Sequence, residues 1–355
     1  MQARKTSWIL VVGVLLLLPV MQTRAEVTST TGAVSVTVHE YVNDQAGVSD
    51  TINLQYPSTG ITLPVQAVVR LLYQGDDPAA AAVAAQLADP GELSLSNPEE
   101  FAVNLALLSI SPDIRYTAQA SSQETRGIIF TTEDFPGRQD GDTLTVIGRL
   151  YIDGALAVFS PVAARDLTGA SVYLRVTVVQ TTPTGSETVF SGRVGLEGAA
   201  AGAVSRVAEG DFPTTTLIRT NLASFVDDFE VFEVLIIPSL RIAYDYPVTI
   251  GEEFSLRATV EVEAANATDQ VGVSAIVGTP VDSIQEVISA AQSASAASKF
   301  ITALEAERAN PTGTAAFPSA TPILPACGLF GFEFLVGAAA LAGLRCASWP
   351  RRRLM

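Results

Sequence analysis

The chain has 355 residues, with 21 Lys+Arg against 37 Asp+Glu and a net charge of −16. A surface that acidic repels nucleic-acid phosphates and anionic lipid headgroups, and it attracts divalent cations. One histidine and two cysteines supply no ligand set for ordinary zinc, copper or haem centres.

The first element is Arg4-Lys5, followed by an apolar run from Trp8 to Val20 and a polar stretch from Met21 to Ala25. Basic, then apolar, then polar with the small residues Thr23 and Ala25 at its end is the layout of a secretory signal peptide over 1–25. A retained spanning helix would need about 20 apolar residues, more than this run holds. No cysteine follows the run, so lipoprotein processing is not expected.

From Glu26 to Pro325 the body carries 14 Lys+Arg and 36 Asp+Glu, a net charge of −22. It has no cysteine, which excludes a disulfide scaffold and leaves stability to an apolar core. Short Val, Ile, Thr and aromatic runs alternate with period two between Gly, Pro, Asp and Asn, the pattern of half-buried strands. Ala33–His39 is the first, with valines on one face and Ser35, Thr37 and His39 on the other. Further strands are expected over Ile61–Tyr73, Ile114–Gln119, Gly127–Thr132, Val172–Gln180, Thr188–Val194, Phe229–Ile237, Leu240–Tyr246, Glu253–Glu263 and Gln270–Val277. Asp153-Gly154 reads as the tight turn of a hairpin joining Leu144–Tyr151 to Ala155–Phe159. Two Ala- or Leu-rich stretches behind capping residues, Pro78–Leu87 and Pro98–Leu108, read as a small helical insertion. Ser283–Arg308 has apolar residues at helical spacing but a Ser/Ala-rich centre, so it must pack on the sheets or act as a stalk. A Pro/Thr/Ala-rich linker over 309–325 follows.

Hairpins without regular helices between them point to a mainly β protein: an antiparallel, jelly-roll-like β-sandwich over 26–281 with a C-terminal helix over 282–308. An irregular stretch near Leu167 allows a subdivision into two smaller sandwiches there.

After the linker come Pro325-Ala326-Cys327-Gly328, an apolar segment Leu329–Leu344 interrupted by Glu333, and Arg351-Arg352-Arg353. Basic residues stay on the cytoplasmic side of a membrane, so a spanning 329–344 would leave the body outside. Cys327 and Cys346 flank that segment and would be held on opposite sides. This tail resembles the PEP-CTERM class of C-terminal sorting signals: a short Pro-containing motif, one hydrophobic span and an Arg cluster. Pro325-Ala326-Cys327 stands where the class has Pro-Glu-Pro, which brings the tail close to sorting signals that carry a cysteine. The resemblance covers about the last 30 residues of the chain, and it implies a membrane sorting protease or transpeptidase as a partner. An ordinary single-pass anchor is the alternative.

Little in the body points to catalysis. His39 is the sole histidine, and no Gly-x-Ser-x-Gly elbow is present; Gly272-Val273-Ser274-Ala275-Ile276 fails at its last position. There is no dinucleotide fingerprint or phosphate loop. Oxygen ligands remain, and Asp134, Asp140 and Asp142 are candidates for calcium in the loop Glu133–Asp142, where a solvated turn is the plainer reading. Asp227-Asp228-Phe229-Glu230 has the same two readings, and the pair Asp44 and Asp50 is a weaker candidate. Asn266-Ala267-Thr268 matches a glycosylation acceptor. Both tryptophans, Trp8 and Trp349, lie in the end segments, so a sugar-binding face would depend on Tyr or Phe.

These residues predict an exported, surface-anchored or matrix-associated structural or adhesive protein that is not an enzyme. The alternatives are a calcium-assisted module for neutral glycan or another surface protein, and a carboxylate-based carbohydrate enzyme. Two carboxylates within about 10 Å in a cleft, one of raised pKa, would mark the enzyme. A flat face with an aromatic platform would mark the module.

Overall fold

The computed structural model describes residues 25–57, 64–73, 79–88, 101–160, 166–222, 230–266, 270–278, 285, 287 and 294–317. The expected signal peptide, apart from Ala25, and the expected sorting and transmembrane segments lie outside these residues. Among the described residues no helix is long and apolar enough to cross a membrane.

Strand β1 (Glu26–Val42) buries Val34, Val36 and Val38 and turns Ser35, Thr37 and His39 outward. Asn43 and Asp44, both at positive φ (52° and 60°), make a tight turn into β2 (Gln45–Tyr56). Positive φ at both central residues is the requirement of a two-residue hairpin turn, and Asn and Asp tolerate it. The chain then crosses to a second sheet and runs as an antiparallel meander through β3 (Val65–Tyr73), β4 (Ala79–Leu87) and β5 (Phe101–Ser109).

Here the structure departs from the expected helical insertion, because the described parts of 78–87 and 98–108 are strands. Eight of the nine residues of β4 and all nine of β5 are buried. A strand covered on both faces loses its alternation and reads as a continuous apolar run, which periodicity cannot tell from a buried helix.

β6 (Ile114–Ile129) returns to the first sheet beside β1, and β7 (Thr143–Ser160) lies in the second. β8 (Ala170–Thr182), β9 (Gly185–Gly198) and β10 (Val204–Gly210) extend the first sheet; β11 (Ile218–Thr220) and β12 (Glu230–Thr249) extend the second. Each of the two expected hairpin arms around Asp153-Gly154 belongs to the single strand β7, and both arms pair with β12. The irregularity sits instead in β12, at Pro238-Ser239, where the register shifts and Ser239 has φ 34°. Gly154 serves close approach, since a Cβ there would lie 2.8 Å from the carbonyl oxygen of Ile276.

β13 (Glu253–Asn266) and β14 (Val271–Val277) come last among the long strands yet lie centrally. The first sheet has the order β10-β9-β8-β13-β6-β1-β2. With β15 (Thr314–Ala315), the second reads β15-β11-β12-β7-β14-β5-β4-β3. Strands from both sides of residue 167 therefore share each sheet, joined by the neighbours β6–β13, β7–β12, β7–β14 and β5–β14.

The two antiparallel sheets pack face to face as a β-sandwich: β1 and β6 cover β3, β4 and β5, and β13 covers β5 and β14. Helix α1 (Ala294–Ala309) closes the outer face of the second sheet. Ala80, Ala82, Ala106, Ala155 and Ala157 form a floor of small side chains under Ala297, Phe300 and Leu304. Phe300 meets Phe159 at 5.1 Å between ring centroids. Packing on the sheet is thus what a Ser/Ala-rich helix requires, although Ser298, expected on its apolar stripe, is exposed. Part of the expected linker is also docked: Thr314–Ala315 pairs with β11.

Candidate binding face

The outward face of the first sheet is built by strand alternation. Along β1, β6, β8 and β13 inward residues alternate with outward ones that are mostly polar. Register aligns these neighbours in rows. One row holds Thr51, Thr37, Gln119, Glu263 and Tyr173, and the next holds Asn53, Ser35, Ser121, Glu261, Arg175 and Arg193.

Cross-strand bonds knit the rows. Thr51 donates to the Thr37 hydroxyl at 3.2 Å, Ser49 Oγ lies 2.9 Å from His39 Nδ1, Ser35 donates to the Asn53 carbonyl, and the Gln119 amide donates to Glu261. Thr37, His39, Gln119, Tyr173 and Glu263 line a shallow depression of about 310 Å³. On its rim the Tyr173 ring lies over Gly195, where a Cβ would come within 2.2 Å of the ring. The Arg193 guanidinium covers that ring at 3.6 Å and reaches Glu209 at 3.5 Å. The Tyr173 hydroxyl donates to Glu197. Burial, then the bond to Glu197 and its charge, pushes the Tyr173 phenol up to about 12, against a smaller opposing effect of Arg193.

A second cavity, of about 420 Å³, opens between the β8–β9 turn and the β12–β13 turn. Thr182, Thr184, Glu187, Glu252 and Phe254 line it, and the buried Gln180 spans it to donate to the Pro247 carbonyl at 2.5 Å. Burial raises the pKa of Glu233, more than Arg206 and Arg219 lower it. That carboxyl lies at the seam of the two sheets, 3.4 Å from Arg206 of β10, and lines neither cavity.

The residues singled out from sequence are dispersed. Asp134 Oδ2 accepts from the backbone N–H of Thr131 at 2.8 Å and from its hydroxyl at 3.1 Å. Asp142 Oδ2 accepts from Gln139 N–H at 3.0 Å, and Asp140 lies against Gly251. Asp134 and Asp142 thus serve their own turns, and among the described residues no group of three or more His, Cys, Asp or Glu is placed to hold a metal. Asp44 pairs with Arg115 at 3.1 Å, while Asp50 lies on β2 opposite Val38. Asp227 and Asp228 fall outside the described residues. Ser274 is buried in β14, and Asn266 is buried with its side-chain oxygen accepting from Tyr116 N–H at 2.7 Å.

No protein-family model matches the chain, and no curated protein matches it. Among solved structures, one titled as the structure of infectious bursal disease virus Gx strain aligns over 79% of this chain and 73% of that one. Its identity is 13% and its TM-score 0.10, a likeness on which no statement about fold or function rests.

Tyr173, Arg193, Gly195 and Glu197 were not legible as a group beforehand. The usable signal is a glycine in a strand directly opposite an aromatic residue, which marks a ring laid across the neighbouring backbone.

Proposed function

We propose that this chain is an exported, surface-held or matrix-associated protein without enzymatic activity, whose first-sheet face adheres to a neutral polar partner. The observation that carries this reading is the breadth of that face: six adjacent strands present rows of hydroxyl, amide and carboxylate groups beside Tyr173. Such a face supplies many weak, directional hydrogen bonds over a wide area rather than a single deep site. The repeated crossings of the chain between its two sheets support an elaborated, jelly-roll-like scaffold. The N-terminal signal pattern and the PEP-CTERM-like tail support export followed by sorting at the membrane.

The shallow depression lined by Thr37, His39, Gln119, Tyr173 and Glu263 favours a binding module for neutral glycan or a surface protein as the second reading. Intact mass and location in the native cell test the first reading. A species on the cell surface or in the medium, ending near Pro325 to Gly328, is expected; a full-length chain in the cytoplasm overturns it. A panel of immobilised neutral glycans, tried with wild type and Tyr173→Ala, tests the second. Binding that the substitution abolishes supports it, and binding by neither form rejects it.

A further inference from the structure

The cavity of about 420 Å³ between the β8–β9 and β12–β13 turns collects hydrogen-bond acceptors without a cation to match them. Gln180 lies on β8 of the first sheet and Pro247 on β12 of the second, so the bond between them crosses the sandwich. That bond also orients the amide: its N–H side faces the Pro247 carbonyl, which leaves the Gln180 oxygen as the other end. Gln180 is 2% exposed and lines the cavity, yet among the described residues its side-chain oxygen accepts no hydrogen bond. Buried acceptors normally have a partner. Glu187 and Glu252 line the same cavity, one from each turn, and among the described residues neither carboxylate has an ion pair or a side-chain hydrogen bond. None of the lining residues is Lys, Arg or His. Phe254 adds an aromatic wall, held by Phe130 at 6.0 Å and Tyr246 at 5.8 Å between ring centroids.

We propose that this cavity binds an alkylammonium group, presented by a free diamine or by a lysine-type side chain. A primary ammonium has three N–H donors and no acceptor. Those donors match the Gln180 oxygen and the carboxylates of Glu187 and Glu252, and bonds between ionised partners are the stronger kind. The methylene stem then lies against Pro247 and Phe254, and an ammonium near an aromatic ring is favoured by the ring's own charge distribution. A calcium ion fits less well, since it takes about six to eight oxygen ligands and two carboxylates line the cavity. The net charge of −16 raises the local concentration of any organic cation around the molecule.

Calorimetric titration of the purified full chain with 1,5-diaminopentane, at about 0.15 M salt so that distant surface charges are screened, tests this directly. Binding is expected, and Glu187→Gln with Glu252→Gln, which keeps shape and removes both charges, should weaken it about tenfold or more. Asp50→Asn with Asp113→Asn removes the same charge from exposed positions that do not line the cavity and should change affinity less than about twofold. Equal weakening by the two double variants overturns the proposal, because the attraction is then to the acidic surface as a whole. No binding by wild type, or calcium chloride binding through Glu187 and Glu252 where the amine does not, overturns it as well. N-acetyl-lysine methylamide separates the sources: binding of this probe alone assigns the site to a partner's lysine, and binding of the diamine alone assigns it to a free amine. Hydrogen exchange of wild type needs no substitution. Amides of 180–187 and 249–254 should gain protection with the bound probe, and unchanged exchange there refutes the assignment. None of these outcomes depends on where the protein resides or on what the outward face of the first sheet binds.

Discussion

Replacing Phe300 by alanine should release α1 from the sandwich while leaving the sheets folded. The side chain is fully buried, meets the Phe159 ring at 5.1 Å in a tilted arrangement and sits on a floor of alanines too short to fill the space it would vacate. Truncations of this kind cost about 3–5 kcal/mol, of which the aromatic pair accounts for roughly 0.5–1.5. Around Phe300, Ala297 and Leu304 are also buried, and at the helix's far end Arg308 donates to the Gly278 carbonyl at 2.8 Å and pairs with Asp153 at 3.2 Å. The substitution therefore removes a large share of what holds the helix. Hydrogen exchange followed by mass spectrometry resolves the effect: amides of 294–309 should exchange faster by two to three orders of magnitude, given that about 1.4 kcal/mol is a factor of ten. Strands β1, β8 and β13 should keep their protection. A uniform loss across both sheets would show that the helix is integral to the sandwich rather than laid upon it. A change under about 1 kcal/mol would refute the role assigned to the Phe300–Phe159 contact.

Glu124 and Arg126 face the interior from neighbouring positions of β6 and pair at 2.7 Å, both nearly inaccessible to solvent. Glu124→Gln should cost about 3–5 kcal/mol in urea denaturation, whereas Glu124→Leu with Arg126→Met should lie near wild type, because the double change leaves no buried charge; equal losses in both would contradict this. Tyr173 and Tyr246 both have phenols raised to about 12, the former by burial and Glu197 and the latter by burial. The folded state then keeps protons that the unfolded state gives up above the ordinary value of 10, so stability should fall as pH rises from 10 towards 12. Thermal midpoints of Tyr173→Phe should decline less steeply over that window, and identical slopes would contradict the assignment.

How far these elements were legible in sequence depends on how each is covered. β1, β8 and β13 have one wet and one dry face, and their alternation located them correctly, though short by a few residues at the ends. β6 was expected as two strands because Ser122, Glu124 and Arg126 point inward and interrupt the apolar period. β2 went unseen because its Ser, Thr, Asn and Gln bury little; the Asn43-Asp44 turn preceding it was the available sign. β4 and β5 were misread for the opposite reason, being buried throughout. On the candidate face, the polar rows followed from alternation, but which residues stand side by side depends on register between strands far apart in the chain. Glu263 and Tyr173 are neighbours only through the pairing of β13 with β8.

The central position of β13 and β14 also bears on the order in which the protein comes into being. Although β12 can pair with β7 as soon as it is made, each sheet stays in two pieces until β13 enters one between β6 and β8 and β14 enters the other between β5 and β7. At translation rates of about 5–20 residues per second, the earlier strands spend several seconds with open flanks before residue 277 exists. Neither sheet can be completed from its N-terminal end, so a chain crossing a membrane N-terminus first would have to remain unclosed until nearly all of the sandwich had passed through.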